Sequence, residues 1–472
     1  MTGPTAPMSA LASARRKTLS LAVACCLLAA ACAQLPNTAL LMRSAPPNAV
    51  QLDGPDGPLS KQRSAAILAE IKRKSGSADV LEKHVALEEA IVGSPMVVGN
   101  RVSLLQDGPA TYQAMFAAIR GAKRHINLET YIFEDDEKGR EFADVLLAKQ
   151  GEGVQVNLIY DSVGSLKTPK PFFDRLKDGG VRVVEFNPVN PLKAKKGWQI
   201  NNRDHRKLLV VDGAVAFLGG INISNDYSTA SASALRGSSN PSSLGWRDTH
   251  VRIEGPVVDE FQKLFMSTWA KQGGEALPAG EYIPELKAAG TQIVRAIGSS
   301  SEDPYSTIYV TLVSAVTNAE KHVYLTNAYF VPDPQLLEAL IDAARRGVDV
   351  KLILPSHSDS PLVFHAGRSF YDVLLDGGVR IFERQSALLH AKTAIVDGVW
   401  STIGSTNLDW RSFLYNDELN AVVLGREFAG EMQAMFEKDL EASREIDPAA
   451  WNRRSPALRL KEWAARIWQF WL

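Results

Sequence analysis

The sequence predicts an α/β fold of two duplicated lobes, each a mixed β-sheet flanked by helices and related to the other by a pseudo-two-fold axis. Three observations predict it. Landmark segments of the first half recur in order in the second. Apolar positions at helical spacing alternate with short apolar runs typical of strands buried on both faces. A His-x-Lys-x4-Asp spacing occurs twice, at matching places.

Along the chain, residues 1–32 read first as a targeting segment. Arg15, Arg16 and Lys17 precede an apolar run from Leu19 to Ala31, shorter than the roughly 20 residues a bilayer span takes. With Ala29, Ala30 and Ala31 this is a secretory-signal pattern. Cys32 directly after them resembles a bacterial lipoprotein cleavage site, although Ala29 stands where Leu is more usual. Simple cleavage near Ala33 and an uncleaved anchor are the alternatives. The expectation is a bacterial envelope protein, membrane-associated and exported or anchored by this segment, with Cys32 a candidate for lipidation. Residues 33–95 read as a tether and N-terminal helices, the stretch 34–60 being rich in Pro and Gly. The first lobe is expected over 96–290 and the second over 291–445. A C-terminal amphipathic Trp/Arg-rich helix follows over 446–472.

Within the lobes the duplication is read segment by segment. Met115, Phe116, Ile119 and Ala122 recur as Leu312, Val313, Val316 and Ala319, each set at helical spacing. The strand pattern KRHINLETYIF (123–133) matches EKHVYLTNAYF (320–330). GVQVNLIY (153–160) matches GVDVKLIL (347–354), and LKDGGVRV (176–183) matches LLDGGVRI (374–381). Helix, strand, helix and strand with short turns predict a layered α/β unit in each half. An insertion before the first motif and a Ser-rich loop at 228–245 distinguish the first half.

The repeated motifs are DHRKLLVVDGAVAFLGGIN (204–222) and LHAKTAIVDGVWSTIGSTN (389–407). They align His205, Lys207, Asp212, Gly220 and Asn222 with His390, Lys392, Asp397, Ser405 and Asn407. Residues i and i+2 of a strand share a face, so His and Lys project together. Asp-Gly then supplies the turn of a hairpin, and the role of Asp212 and Asp397 is expected to be mainly in holding it. Gly220 and Ser405 stand where backbone can approach a ligand. The set suits substitution at a phosphodiester. Lys and Asn donate to non-bridging oxygens, one neutral His attacks phosphorus, and a protonated second His supplies the leaving oxygen with its proton. Asp248 and Glu418, downstream of the two motifs, are the candidate carboxylates that orient the imidazoles. His125 and His322 precede core strands and read as structural. No metal or other cofactor is expected, since no ligand-spaced His/Asp/Glu cluster lies outside this constellation.

On these residues the chain resembles the phospholipase D superfamily with its paired HKD motifs, over about residues 96–445, giving two phospholipase D-like lobes. NNRDHRKLLVVDG, GGINIS, WRDTHVRIEGP, LETYIF, AYFVPD and GSTNLD are similar to bacterial cardiolipin synthases. The resemblance implies a metal-free exchange through a phosphatidyl-histidine, with phosphatidylglycerol as donor and a second lipid's hydroxyl as acceptor. It further implies His205 as nucleophile and His390 as acid, which the residues themselves do not distinguish. Such synthases often begin with two transmembrane helices, whereas this chain begins with a signal-like segment. A phospholipase D hydrolase releasing phosphatidic acid is therefore the alternative, with a phosphodiester nuclease behind it.

Composition narrows the classes further. The 52 Lys+Arg against 53 Asp+Glu, for a net charge of −1, disfavour a nucleic-acid partner. All three cysteines, Cys25, Cys26 and Cys32, lie in the first 32 residues, which excludes disulfide frameworks, Cys-ligated zinc and thiol nucleophiles beyond them. The expected partners are phospholipid substrates and a membrane surface, and a monomer suffices because both motifs lie in one chain. In LRLKEWAARIWQFWL (458–472), Leu460, Trp463, Ile467, Trp468 and Trp471 recur at helical spacing between Arg459, Lys461 and Arg466. That pattern fits either a membrane interface or a helix packing its Trp side chains on the body of the protein.

Overall fold

In a computed structural model of the chain, each half contributes seven strands in one shared order to a mixed sheet. The structure describes residues 35–44, 50–76, 80–190, 192, 198–229, 245–385 and 387–472. The expected signal segment, Cys32, most of the Ser-rich loop and part of the insertion before the first motif lie outside them. Residues 37–472 form one compact unit.

The first half runs β1 (Met96–Gln106), α1 (Asp107–Gly121), β2 (His125–Thr130), α2 (Glu137–Gly151), β3 (Gln155–Asp161), α3 (Lys170–Asp178) and β4 (Arg182–Phe186). A hairpin follows, β5 (Lys207–Val211) and β6 (Val215–Gly219), then β7 (Thr249–Glu254) and α4 (Val258–Lys271). The second half repeats it: β8 (Gln292–Ser299), α5 (Thr307–Thr317), β9 (His322–Asn327), α6 (Pro334–Arg345), β10 (Asp349–Pro355), α7 (Pro361–Arg368), α8 (Tyr371–Asp376) and β11 (Arg380–Arg384). Its hairpin is β12 (Lys392–Val396) and β13 (Trp400–Gly404), followed by β14 (Asn416–Leu424) and α9 (Arg426–Glu441). The sheet orders are β1-β7-β6-β5-β2-β3-β4 and β8-β14-β13-β12-β9-β10-β11. The β2-β3-β4 and β9-β10-β11 triplets are parallel because helices cross between them; the hairpins make the rest antiparallel. Strands β1 and β8 pair antiparallel and join the halves at one seam.

The pleat sorts the core. Leu208, Val210 and Leu218 face a cluster shared with Ile395 and Ile403, into which α4 and α9 insert Phe261, Phe265, Trp269, Met432 and Phe436. Leu209, Val211 and Phe217, one residue out of phase, face Phe116 and Phe142 on the other side. Both hairpins turn at Asp-Gly with positive φ at both residues (Asp212 54°, Gly213 64°; Asp397 54°, Gly398 61°), the pairing a type I′ turn requires.

The stretch expected to be a tether is partly folded. Leu52–Gly54 pairs parallel with β1, and Gly57–Pro58 pairs back on it. Leu52 is fully buried and its N–H donates to Ser64 Oγ at 3.0 Å. The Pro and Gly that suggested a linker instead turn a short ribbon. No described helix is long and apolar enough to cross a membrane.

Candidate active site

The motif histidines stand two residues before the first strands of their hairpins, where two short strands cross the seam. Arg203–Asp204 pairs parallel with the start of β14, and His205 N–H donates to the Asp417 carbonyl at 2.9 Å. Trp246–Arg247 pairs parallel with Leu388–Leu389, and His390 N–H donates to the Arg247 carbonyl at 2.8 Å. Each histidine backbone is therefore docked on the opposite half.

The carboxylates are exchanged in the same way. His205 Nδ1 lies 3.0 and 3.1 Å from the two oxygens of Glu418, and His390 Nδ1 lies 2.7 Å from Asp248 Oδ2. With Nδ1–H donating to a carboxylate, each imidazole presents Nε2. Burial lowers His205 to about 4 against the pull of Glu418, and burial with neighbouring Lys392 lowers His390. The same burial opposes the charges of Glu418 and Asp248, but the facing imidazoles and lysines hold both below the usual carboxylate range.

One cavity of about 320 Å³ is lined by His205, His390, Asn222 and Asn407. Lys207 and Lys392 are buried beside the histidines, each ammonium donating to the carbonyl of its own motif His. Burial brings Lys207 down to about 7, with Lys392 lowering it further, and burial brings Lys392 to about 8 against the pull of Asp248 and Glu418. The Lys207 ammonium also lies over the Tyr131 ring, 5.1 Å from its centroid, and an anion beside either buried amine would favour its charged form.

Gly220 and Ser405 stand against the carboxylates. A Cβ at Gly220 would lie 2.2 Å from Asp248 Oδ1, so glycine makes room for that acid. Ser405 Oγ donates to Glu418 Oε2 and accepts from Leu419 N–H at 3.0 Å. Asn222 is oriented by Ile132 N–H and by Tyr227 Oη at 3.0 Å. Asp212 and Asp397 lie at the far end of the hairpins, roughly 20 Å of strand from the histidines. Asp212 accepts the backbone N–H groups of Lys123, Arg124 and His125, and Asp397 those of Glu320, Lys321 and His322. They fasten the turn to the start of the neighbouring strand, and the structure does not bring them to the cavity.

The cavity has further walls that spacing alone did not single out, Tyr131, Tyr227, Trp246, Tyr329, Asp359, Asp409 and Arg411, together with Trp471 of the C-terminal Trp-rich segment. Trp246 and Tyr227 meet His390 at ring-centroid distances of 5.1 and 5.7 Å, and Tyr131 meets His205 at 5.0 Å. Tyr131 and Tyr329 lie in the matched LETYIF and AYF segments, which was the available signal. Among the described residues no group of three His, Cys, Asp or Glu side chains is arranged to hold a metal ion.

A family model described as "Cardiolipin synthase, PLD-like domain" matches residues 115–269 and 312–440. Cardiolipin synthase 2 of Bacillus anthracis is 36% identical over 373 residues, covering 77% of this chain and 69% of the relative. Cardiolipin synthase A of Pseudomonas entomophila (strain L48) is 37% identical over 356 residues, covering 75% and 71%. The crystal structure of phosphatidylserine synthase from Haemophilus influenzae Rd KW20 shares the fold with a TM-score of 0.59 at 13% identity, over 79% of this chain and 95% of that one.

Proposed function

The chain belongs to the cardiolipin synthase, PLD-like domain family, and from that premise we propose that it is a phosphatidyltransferase exchanging a phosphatidyl group between phosphatidylglycerol and a second lipid alcohol. The observation that carries the reading is that His205 and His390 line one cavity, each with a carboxylate on Nδ1.

In the first half-reaction, neutral His205 attacks phosphorus through Nε2. The P–O bond to the departing glycerol breaks as the N–P bond forms, and protonated His390 gives its Nε2 proton to that oxygen. In the second, His390 takes the proton of the acceptor hydroxyl, whose oxygen displaces His205. With phosphatidylglycerol as acceptor the product is cardiolipin. Lys207, Lys392, Asn222 and Asn407 meet the non-bridging oxygens, where charge is greatest in the transition state. An incoming anion raises the depressed His390 and lysines toward their charged forms. Glu418 and Asp248 fix the tautomers and stabilise each imidazolium as it forms.

The protein acts at the membrane of the bacterial envelope, held there by its N-terminal segment, with Cys32 the candidate for lipidation. Purified protein given phosphatidylglycerol is expected to release cardiolipin and glycerol in equal amounts. Phosphatidic acid as the sole lipid product would replace the transferase with a hydrolase on the same residues.

A further inference from the structure

The C-terminal helix, α10 (Pro456–Arg466), presents its apolar face outward. Leu460, Trp463 and, just past its end, Ile467 fall on one arc at helical spacing, with Trp468 beside them. Leu460 is 64% exposed, Trp463 62%, Ile467 60% and Trp468 55%. The opposite arc, which meets the protein, is Glu462 and Ala465, both buried. Glu462 accepts from Arg454 Nε at 2.9 Å and lies 3.6 Å from Arg368 of α7. Packing for stability alone would turn this helix the other way, since burying large apolar side chains such as Leu460, Trp463 and Ile467 is favourable. The Glu462 ion pairs fix the less economical rotation. Arg459 and Arg466 flank the apolar arc on one side and Lys461 on the other, all exposed.

This strip leads into the cavity. Phe470 meets the Trp410 ring edge-on at 4.9 Å, and Trp410 lies three residues after Asn407. Trp471 lines the cavity wall, and the Leu472 carbonyl beside it accepts from Arg411 N–H at 2.8 Å. Helix α7, against which α10 packs, carries exposed Leu362 next to Val363 of the same wall.

We propose that α10 and the turn after it are the surface on which the enzyme docks to an anionic phospholipid bilayer. Trp463, Ile467 and Trp468 enter the head-group layer, where an aromatic ring with a polar edge is best placed. Arg459, Lys461 and Arg466 meet lipid phosphates. A lipid leaving the bilayer then follows Phe470 and Trp471 to the two histidines. The docking surface rests on the phospholipid reading of the cavity and adds to it the face that meets the substrate's own phase.

The test uses the full chain with vesicles of phosphatidylglycerol and phosphatidylcholine whose acyl chains carry bromine, a contact quencher of Trp fluorescence. Wild-type emission is expected to be quenched, and W463F/W468F, which keeps the apolar face, is expected to lose most of that quenching. Trp463→Glu with Trp468→Glu is expected to lower turnover of vesicle phosphatidylglycerol at least tenfold while leaving monomeric short-chain phosphatidylglycerol turned over as before. Unchanged quenching in W463F/W468F, or unchanged vesicle turnover in the glutamate variant, overturns the proposal. A wild-type dimer that the glutamate variant abolishes, without vesicle quenching, overturns it in favour of a second copy of the chain. Quenching without turnover of any phosphatidylglycerol upholds the docking surface and removes the proposed reaction instead.

Discussion

His205 and His390 share a buried cavity but differ in the company they keep, and the chemistry turns on which proton sits where. His205→Ala and His390→Ala are each expected to abolish turnover with the circular dichroism spectrum unchanged; substantial activity in either variant contradicts a shared site. Lys207→Ala and Lys392→Ala remove the proposed transition-state donors and are expected to cost on the order of 10²–10³-fold each in kcat. The pH dependence follows from the same groups. His205, near 4, must be neutral to act as the proposed nucleophile, so kcat/KM is expected to fall on the acid side as it takes up a proton. On the basic side kcat/KM declines as His390 and then Lys207 (about 7) and Lys392 (about 8) lose the protons that make them donors. A profile flat from about pH 4 to pH 9 contradicts this assignment. Gly220→Ala drives a methyl group into Asp248 and is expected to lower kcat, with His390 left poorly oriented.

The hairpin is the element that makes each motif, and its two ends have different work. Asp397 is buried and gathers three backbone N–H groups at the turn, so Asp397→Ala leaves them without an acceptor. A loss of about 2–4 kcal/mol in denaturant unfolding is expected, with kcat of the folded fraction within about threefold of wild type. A large fall in kcat without a fall in stability would place Asp397 in the chemistry instead. Both hairpins were legible in the chain because His-x-Lys and Asp-Gly each dictate a local geometry, period two along a strand and positive φ in a tight turn. The ribbon at Leu52 was not, because its pairing with β1 is made by a residue distant in sequence, while local Pro and Gly content favours a linker. Tyr227 and Trp246 escaped for a related reason: they flank the Ser-rich loop and reach His390 only because a short 3₁₀ turn and a two-residue strand aim them there.

At the scale of the molecule the repeat predicted two α/β units, since ordered landmarks survive in the sequence while their partners across the seam leave no such trace. Spacing set Glu418 beside the motif of His390 and Asp248 beside that of His205, yet each carboxylate serves the other histidine. That exchange comes from the two short parallel pairings at the seam, which no local pattern specifies. The two halves expressed as separate chains are accordingly expected to show no turnover singly and to recover it only on reassociation. A His205→Ala chain mixed with a His390→Ala chain is expected to remain inactive, because both histidines of a working site come from one polypeptide. Recovery in that mixture would reveal a site shared between subunits. The exchange also makes the two halves interdependent. An unfinished or partly opened molecule has no self-sufficient half, because neither half alone holds a motif histidine together with its carboxylate.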